Sequence, residues 1–442
     1  MAITWIESVE SRPFASKTPA RRGTAASVLS VTDSTRQTVR GFGGCFNELG
    51  WEALQSLAPA KRTEVFRALF HKSTCAYSYC RLPIGANDYA LDWYSLNDTP
   101  GDYAMRHFSV ARDRQRLIPY IREALRHQPD MTLFASPWCP PAWMKTKKVY
   151  NCGSLEWTRK NLDAYALYFQ KFVEAYAKEG IRIAQIHVQN EPNSNQKFPS
   201  CLWTGEMMRD FIRDHLGPRF ERNRVPCEIW AGTLEKGIEH GWETALIGTM
   251  NYARWTHTIL SDAKARRYIK GVGYQWDGKG AVPQTHAAWP DLPLVQTENE
   301  CGNGDNSWNY ALYVFNLMWH YFTNGAVAYV YWNMILPEGG ESTWGWKQNS
   351  MMSVTPKGAV RYNPEYHLMR HFAQFVRPGA VRLELSGMMA AFGLGFRNTD
   401  GSTAVVLANP LERQETVSVQ CGAQAARVSM APRSFSTVLF GR

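Results

Sequence analysis

Short apolar runs alternate along the chain with stretches whose apolar positions recur every three or four residues. The runs at 41–46, 77–84, 132–136, 183–189, 227–230, 269–274, 292–297 and 326–332 read as strands. Between them lie helical periods; Leu162, Tyr165, Phe169, Phe172, Val173 and Tyr176 form one such i, i+3/i+4 stripe. Eight β/α units over residues 38–375 predict an α/β fold, a (β/α)8 barrel of parallel strands ringed by helices. A doubly wound sheet would alternate in the same way, but neither a Gly-x-Gly-x-x-Gly fingerprint nor a Walker loop is present. After about Pro378 the pattern changes to strands alone, at 381–385, 390–396, 404–407, 416–419 and 428–439, parted by Gly387, residues 398–401 and Asn409-Pro410. That predicts a small antiparallel β domain over residues 376–442. Residues 24–32 are also strand-like, so the N-terminal segment 1–37 is expected to join that domain and both chain ends to clasp the barrel.

Composition narrows the classes. Of 442 residues, 45% are hydrophobic and 20% charged, enough apolar material for a large core and too little charge bias for a disordered chain. The longest apolar stretches, such as 326–332, fall far short of a membrane span. The N-terminus lacks the basic start and apolar run of a secretory signal, so a cytoplasmic location is expected unless a signal has been removed. The net charge of +10 comes from scattered Lys and Arg, with no basic run interleaved with aromatics, and nucleic acid is not an expected partner. Nine cysteines, odd in number and without a Cys-x-x-Cys pair, indicate neither a disulfide framework nor a structural zinc site. The 17 Trp and 20 Tyr are more informative, because exposed aromatic faces suit sugar rings and other flat apolar ligands. Nothing in the pattern specifies an oligomeric state.

In such a barrel the reactive groups sit at the C-terminal ends of the strands. The unusual residues of this chain collect there: Gly41-Phe42-Gly43-Gly44, Arg81-Leu82-Pro83-Ile84, Ser136-Pro137-Trp138, Asn190-Glu191-Pro192, Thr297-Glu298-Asn299-Glu300-Cys301 and Trp332-Asn333. Two carboxylates facing each other across one mouth are what glycoside hydrolysis needs, one protonated to release the leaving oxygen and one ionised to attack the anomeric carbon. Glu191 suits the first role, since Pro192 ends the strand and leaves the carboxyl at the rim, with Asn190 beside it to bind a hydroxyl. Glu298 suits the second; Glu300, two residues on, shares its strand face, so alternation alone does not choose between them. Position favours Glu298, which directly follows the last clear β run. Trp138, Trp276 and Trp332 would wall the sugar site. Taken singly, each has an ordinary reading: Asn-Glu-Pro as a helix start, Arg81 as a buried ion-pair partner, Trp138 as core, His187 as a hydrogen-bonded barrel residue.

Taken in order, Gly-Phe-Gly-Gly, Arg-Leu-Pro-Ile-x-x-x-Asp, Ser-Pro-Trp-x-x-Pro-x-Trp, Asn-Glu-Pro, Thr-Glu-x-x-Cys and Trp-Asn-x-x-Leu-Pro-Glu-Gly-Gly resemble glycoside hydrolase family 30, most of all its glucosylceramidase-type members. The resemblance covers about residues 38–375, and the terminal β segments are similar to the side domain of such enzymes. It implies retaining hydrolysis of a β-glycoside or oligosaccharide, with no metal and no organic cofactor. By position it implies Glu191 as acid/base, Glu298 as nucleophile and Asn190 as a hydroxyl binder. Asp88, Trp138, Trp332 and Asn333 would hold the sugar, Arg81 would support the nucleophile's charge, and Tyr274 or Trp276 would be the aromatic facing it. The expected activity is exo-acting on β-glucosides. The alternatives are an endo-β-1,6-glucanase, a β-glycosidase for xylosides, fucosides or galactosides, and a non-enzymatic sugar-binding barrel.

Overall fold

The computed structural model describes residues 3–20, 27–235 and 252–441. Eight strands close into a parallel barrel: Gly41–Cys45, Tyr79–Ile84, Thr132–Pro137, Gln185–His187, Glu228–Leu234, Ile269–Gln275, Leu294–Glu298 and Ala326–Asn333. Each falls within or overlaps a run expected from the sequence. The Gly-rich first strand has a steric cause: a Cβ on Gly43 would come within 2.0 Å of the Tyr79 carbonyl, so only glycine lets these strands pass.

The helix Arg159–Lys178 shows how the outer ring forms. Thr158 caps it, accepting from the Asn161 N–H at 3.2 Å, and Leu162, Tyr165, Phe169, Phe172, Val173 and Tyr176 are its buried face. Gly180, at φ +75°, lets the chain leave.

Inside the barrel, Tyr79, Phe134, Trp230, Val295, Ala328 and Val330 fill the floor, and the His187 ring stacks on Trp230 at 5.2 Å. Side chains repeat on one face of a strand every second residue. Two residues beyond Tyr79 and Phe134 the lumen therefore receives Arg81 and Ser136, and the filling changes from apolar to polar toward the C-terminal ends.

Both chain ends build the side domain, a nine-stranded sheet in which Ser27–Thr38 lies between Val381–Ser386 and Glu415–Cys421, while Ile3–Val9 pairs with Ser434–Phe440. It has its own core of Trp5, Leu29, Val405, Leu407, Val417, Val419, Val428, Val438 and Phe440. It docks on the helices Trp308–Thr323 and Pro364–Ala373. The buried His371 ring bonds Ser8 and Thr437 at 2.8 Å each, and Trp308 donates to the Arg433 carbonyl at 2.6 Å.

Four details differ from the sequence reading. The sheet is not wholly antiparallel, because Ser27–Thr38 runs parallel to Glu415–Cys421. The expected strand 428–439 is two, Gln424–Met430 and Ser434–Phe440, which pair with different neighbours, Glu415–Cys421 and Thr403–Asn409. Part of 390–396 is a 3-10 turn, Met388–Phe392. An N-terminal hairpin, Ile3–Val9 with Arg12–Lys17, forms one edge. Of the expected strand 24–32, residues 24–26 lie outside the described residues.

Candidate active site

The polar layer of the barrel is organised around one side chain, Arg81. It is completely buried, lies 4.4 Å from the Trp138 ring centroid and 5.5 Å from that of Trp332, and ion-pairs with Glu298 through Nη1 and Oε2. Its remaining hydrogens reach Ser136 Oγ (3.0 and 2.7 Å), Asn190 Oδ1 (2.5 Å) and Thr233 Oγ1 (3.3 Å). Gln275 Nε2 donates to Glu298 Oε2 at 3.0 Å and to Asn190 Oδ1 at 2.8 Å. A buried guanidinium with this many acceptors is stable only as a complete set, because loss of one partner leaves a charge in a poorly polarisable interior.

Glu298 reaches this position through a strand irregularity. Pairing between the sixth and seventh strands shifts register between Gln296 and Glu298, which sets Glu298 level with Gln275. Glu300 stays outside the barrel: its backbone carbonyl accepts from Tyr310 and from Asn299 Nδ2, and its carboxyl faces Tyr313.

Glu191 sits at φ +44°, a left-handed conformation uncommon for a residue with a Cβ and held here by its N–H bond to the Thr233 carbonyl at 3.0 Å. Its carboxyl accepts from Gln196 Nε2 at 3.1 Å and has no cationic hydrogen-bond partner among the described residues. Because three donors converge on Asn190 Oδ1, the amide's NH2 group is turned the other way and supports Glu191.

Three carboxyls share this enclosure and titrate as one system. Burial, then the negative charge of Asp88, pushes Glu191 up to about 7, while Gln196 and Arg81 oppose the shift. Burial likewise pushes Asp88 up to about 7. Glu298 is raised by burial and by its two acidic neighbours, against the pull of Arg81. Of the three, Glu298 is the one the guanidinium bonds, which favours its ionised form over those of Glu191 and Asp88.

Beyond the carboxyls, Trp138 and Trp332 pack 5.4 Å apart among Tyr89, Phe198 and Leu336, with Trp344 and Cys301 at the edge of the cluster. Asp88 Oδ1 and Trp332 Nε1 are buried without a hydrogen-bond partner among the described residues. Buried polar atoms are rarely left unmatched, and an acceptor and a donor beside aromatic faces suit the hydroxyls of a sugar. Among the described residues, no group of three or more His, Cys, Asp or Glu could hold a metal ion.

The structure therefore brings together Arg81, Asn190, Glu191 and Glu298, with Asp88, Trp138 and Trp332 adjoining them. It separates three residues expected at the sugar site. Tyr274 points out of the barrel, its hydroxyl bonded to Thr256 (2.9 Å) and Thr285 (2.5 Å), because strand alternation gives the lumen to Gln275. Trp276 begins a 3-10 turn and packs, partly buried, on the main core with Lys279 over its ring at 5.5 Å. Asn333 is fully buried and engaged within the protein, donating to Gln348 Oε1 (2.8 Å) and the Asn349 carbonyl (3.3 Å) and accepting from Asn47 (2.9 Å). The residues missed from sequence are Gln275, Thr233, Gln196 and Gln348, together with the role of Ser136 as a partner of Arg81. Gln275, Ser136 and Thr233 lie on barrel strands and were within reach of the alternation rule, since Tyr274 and Trp276 cannot share the lumen with Gln275; Gln196 and Gln348 act through loop geometry that carries no period.

Residues 39–376 match the TIM-barrel domain of glycosyl hydrolase family 30, and residues 379–438 match that family's beta sandwich domain. The chain belongs to glycosyl hydrolase family 30. As a family 30 member it is a glycoside hydrolase and acts on carbohydrate. It is 28% identical over 423 residues to the lysosomal acid glucosylceramidase of Mus musculus, covering 88% of this chain and 78% of that one. It is 24% identical over 429 residues to an endo-1,6-beta-D-glucanase of Neurospora crassa, covering 91% and 85%. The solved structure of SrfJ from Salmonella typhimurium superposes with a TM-score of 0.89 at 25% identity, over the whole of both chains.

Proposed function

We propose that this family 30 hydrolase cleaves β-glucosides with retention, through a covalent glycosyl-enzyme on Glu298 with Glu191 as acid/base, releasing a terminal glucose. The observation that carries this reading is the unequal treatment of two carboxyls in one enclosure. Glu298 receives Arg81 and Gln275, donors that favour a carboxylate, whereas burial and Asp88 keep the proton on Glu191 up to about pH 7.

In the first step Glu298 Oε attacks the anomeric carbon as the glycosidic bond breaks, and the Glu191 proton passes to the leaving oxygen. The charge on Glu298 is then consumed in the ester. With Glu298 esterified, the ionised Glu191 is ready to take a proton from water. Water attacks the anomeric carbon, the ester to Glu298 breaks, and both carboxyls return to their starting states.

Asp88 and the Trp138 and Trp332 rings would hold the glucose. Their burial suits a chain end better than a polymer threading through. The two named relatives, a glucosylceramidase and an endo-1,6-beta-D-glucanase, differ beyond the glucose and share the glucosyl unit itself.

The likeness to the glucanase supports a second reading, internal cleavage of β-1,6-glucan. A panel of aryl β-glycosides (glucoside, xyloside, fucoside, galactoside) beside β-1,6-glucan, with the released sugar identified, tests both. Glucose freed from the aryl glucoside is the expected result. Silence on every aryl glycoside with oligosaccharides from the glucan would transfer the assignment to the endo enzyme.

A further inference from the structure

The loop that follows Glu298 is fastened from behind by Asn349, with Tyr310 and Asn363 holding it at Glu300 and Asn306. The Asn349 N–H donates to the Cys301 carbonyl at 2.6 Å, and its Oδ1 accepts from the N–H groups of Gly304 (2.9 Å) and Asn306 (3.3 Å). Its amide lies so close to Gly302, at φ +63°, that a Cβ there would come within 2.8 Å of Nδ2. Nδ2 points the opposite way and donates to Glu365 Oε1 at 2.8 Å, with a longer contact to Asp305 Oδ1 at 3.4 Å. Glu365, in the first turn of Pro364–Ala373, is completely buried, and its Oε2 has no hydrogen-bond partner among the described residues.

The same segment reaches the sugar site. The Asn349 carbonyl accepts from Asn333, which also donates to Gln348 Oε1, and Gln348 Nε2 lies 3.4 Å from Asp88 Oδ2. On the loop side, Cys301 Sγ is 3.9 Å from Glu298 Oε1. One carboxyl behind the barrel mouth is thus joined to both the attacking carboxylate and the sugar-binding one.

We propose that Glu365 and Asn349 are positioning residues for the nucleophile: the Glu365 carboxyl fixes which way the Asn349 amide faces, and that amide sets the loop carrying Glu298 and Cys301. The amide has one accepting and one donating end. With an acceptor at Glu365, Nδ2 turns to the helix and Oδ1 to the two loop N–H groups. Without that acceptor only the longer contact to Asp305 Oδ1 opposes a flipped amide, which would set NH2 against those N–H groups and leave the loop unsatisfied. Burial pushes Glu365 up to about 8, so the carboxyl is mainly neutral at pH 7, with Oε1 as the acceptor for Asn349. The titratable groups acting on this pair are Asp305 from the loop, which raises Glu365 further, and Tyr331 from the eighth strand, itself raised by burial.

This inference rests on Glu298 as nucleophile, and the experiment separates the two. Wild type, Glu365→Gln, Glu365→Leu and Asn349→Ser are compared on whichever β-glycoside the wild type hydrolyses. Glutamine keeps a neutral acceptor and is expected within twofold of wild type in kcat and KM. Leucine removes the acceptor and is expected to lose at least tenfold in kcat with KM within threefold, since the Trp138 and Trp332 walls are untouched. Asn349→Ser should show the same split, and it carries the test if the leucine variant does not fold. Wild-type kcat in the leucine and serine variants, equal losses in glutamine and leucine, or a loss confined to KM would each overturn the proposal. An inactive wild type would instead overturn the functional reading.

Discussion

Replacing Arg81 by Met removes the charge at the centre of the site while keeping an unbranched side chain of similar reach between Trp138 and Trp332. Breaking a buried ion pair from one side costs roughly 3–5 kcal/mol, because the remaining charge is stranded. Glu298 can avoid most of that cost by taking up a proton, and at about 1.36 kcal/mol per pKa unit the saving corresponds to a rise of roughly 2–3.5 units. Burial, Glu191 and Asp88 already push in that direction, and Arg81 is the group that opposes them. The acidic limb of kcat/KM, set by ionisation of Glu298, should therefore move upward, toward the basic limb set by Glu191 near pH 7. The window with Glu298 ionised and Glu191 protonated narrows, and the best kcat/KM should fall roughly a hundredfold or more. The assay is the pH dependence of kcat/KM between pH 4 and 9, with circular dichroism to establish folding. An acidic limb that stays in place with a loss below threefold would refute the assignment of Arg81 as the group that keeps Glu298 ionised.

Glu191→Gln should abolish the basic limb on an aryl glycoside whose leaving group needs no proton; a limb that persists unchanged would place the acid elsewhere. Glu298→Gly should be nearly inactive and form an α-glycosyl azide when azide is added, whereas Glu300→Gly, altered outside the lumen, should keep most activity; the reverse pattern would move the nucleophile. Stability should depend on pH with a definite sign. Asp88, Glu191 and Glu365 hold protons in the fold at pH values where the unfolded chain has released them, so their stabilisation is complete below the ordinary carboxylate range and is lost as pH rises through about 7–8. The melting temperature should accordingly fall between pH 5 and 8, and Glu365→Gln should make that fall shallower.

The barrel was legible because its strands are short apolar runs separated by helices with a clear 3.6-residue period, and because Pro, Asn and Glu collect at strand ends. Legibility failed where long-range pairing decides. Arg12–Lys17 is a half-exposed edge strand with no alternation to read, and its neighbour Ile3–Val9 is held by Ser434–Phe440 from the far end of the chain. The strand expected at 183–189 regularises only over Gln185–His187. Beyond it Gln189 and Glu191 still bond the fifth strand, at Gly232 and Thr233, but with Glu191 turned to positive φ. The carboxyls and Arg81 could be named because reactive side chains at barrel strand ends are few. At the sixth strand end parity outweighs aromatic type: Gln275 takes the lumen, while Tyr274 turns outward and Trp276 begins a 3-10 turn. Gln196, Gln348 and Asn349 lie in loops, and a loop's hydrogen bonds are not written in any sequence period.

The central claim is a double displacement at the anomeric carbon, and the anomer released first reports on it directly. Proton NMR during cleavage of a β-glucoside by the wild-type enzyme should show the β-anomer of the sugar appearing first, with the α-anomer growing in only as mutarotation proceeds. An initial α-anomer would mean a single inverting displacement, and Glu298 could not then be the nucleophile.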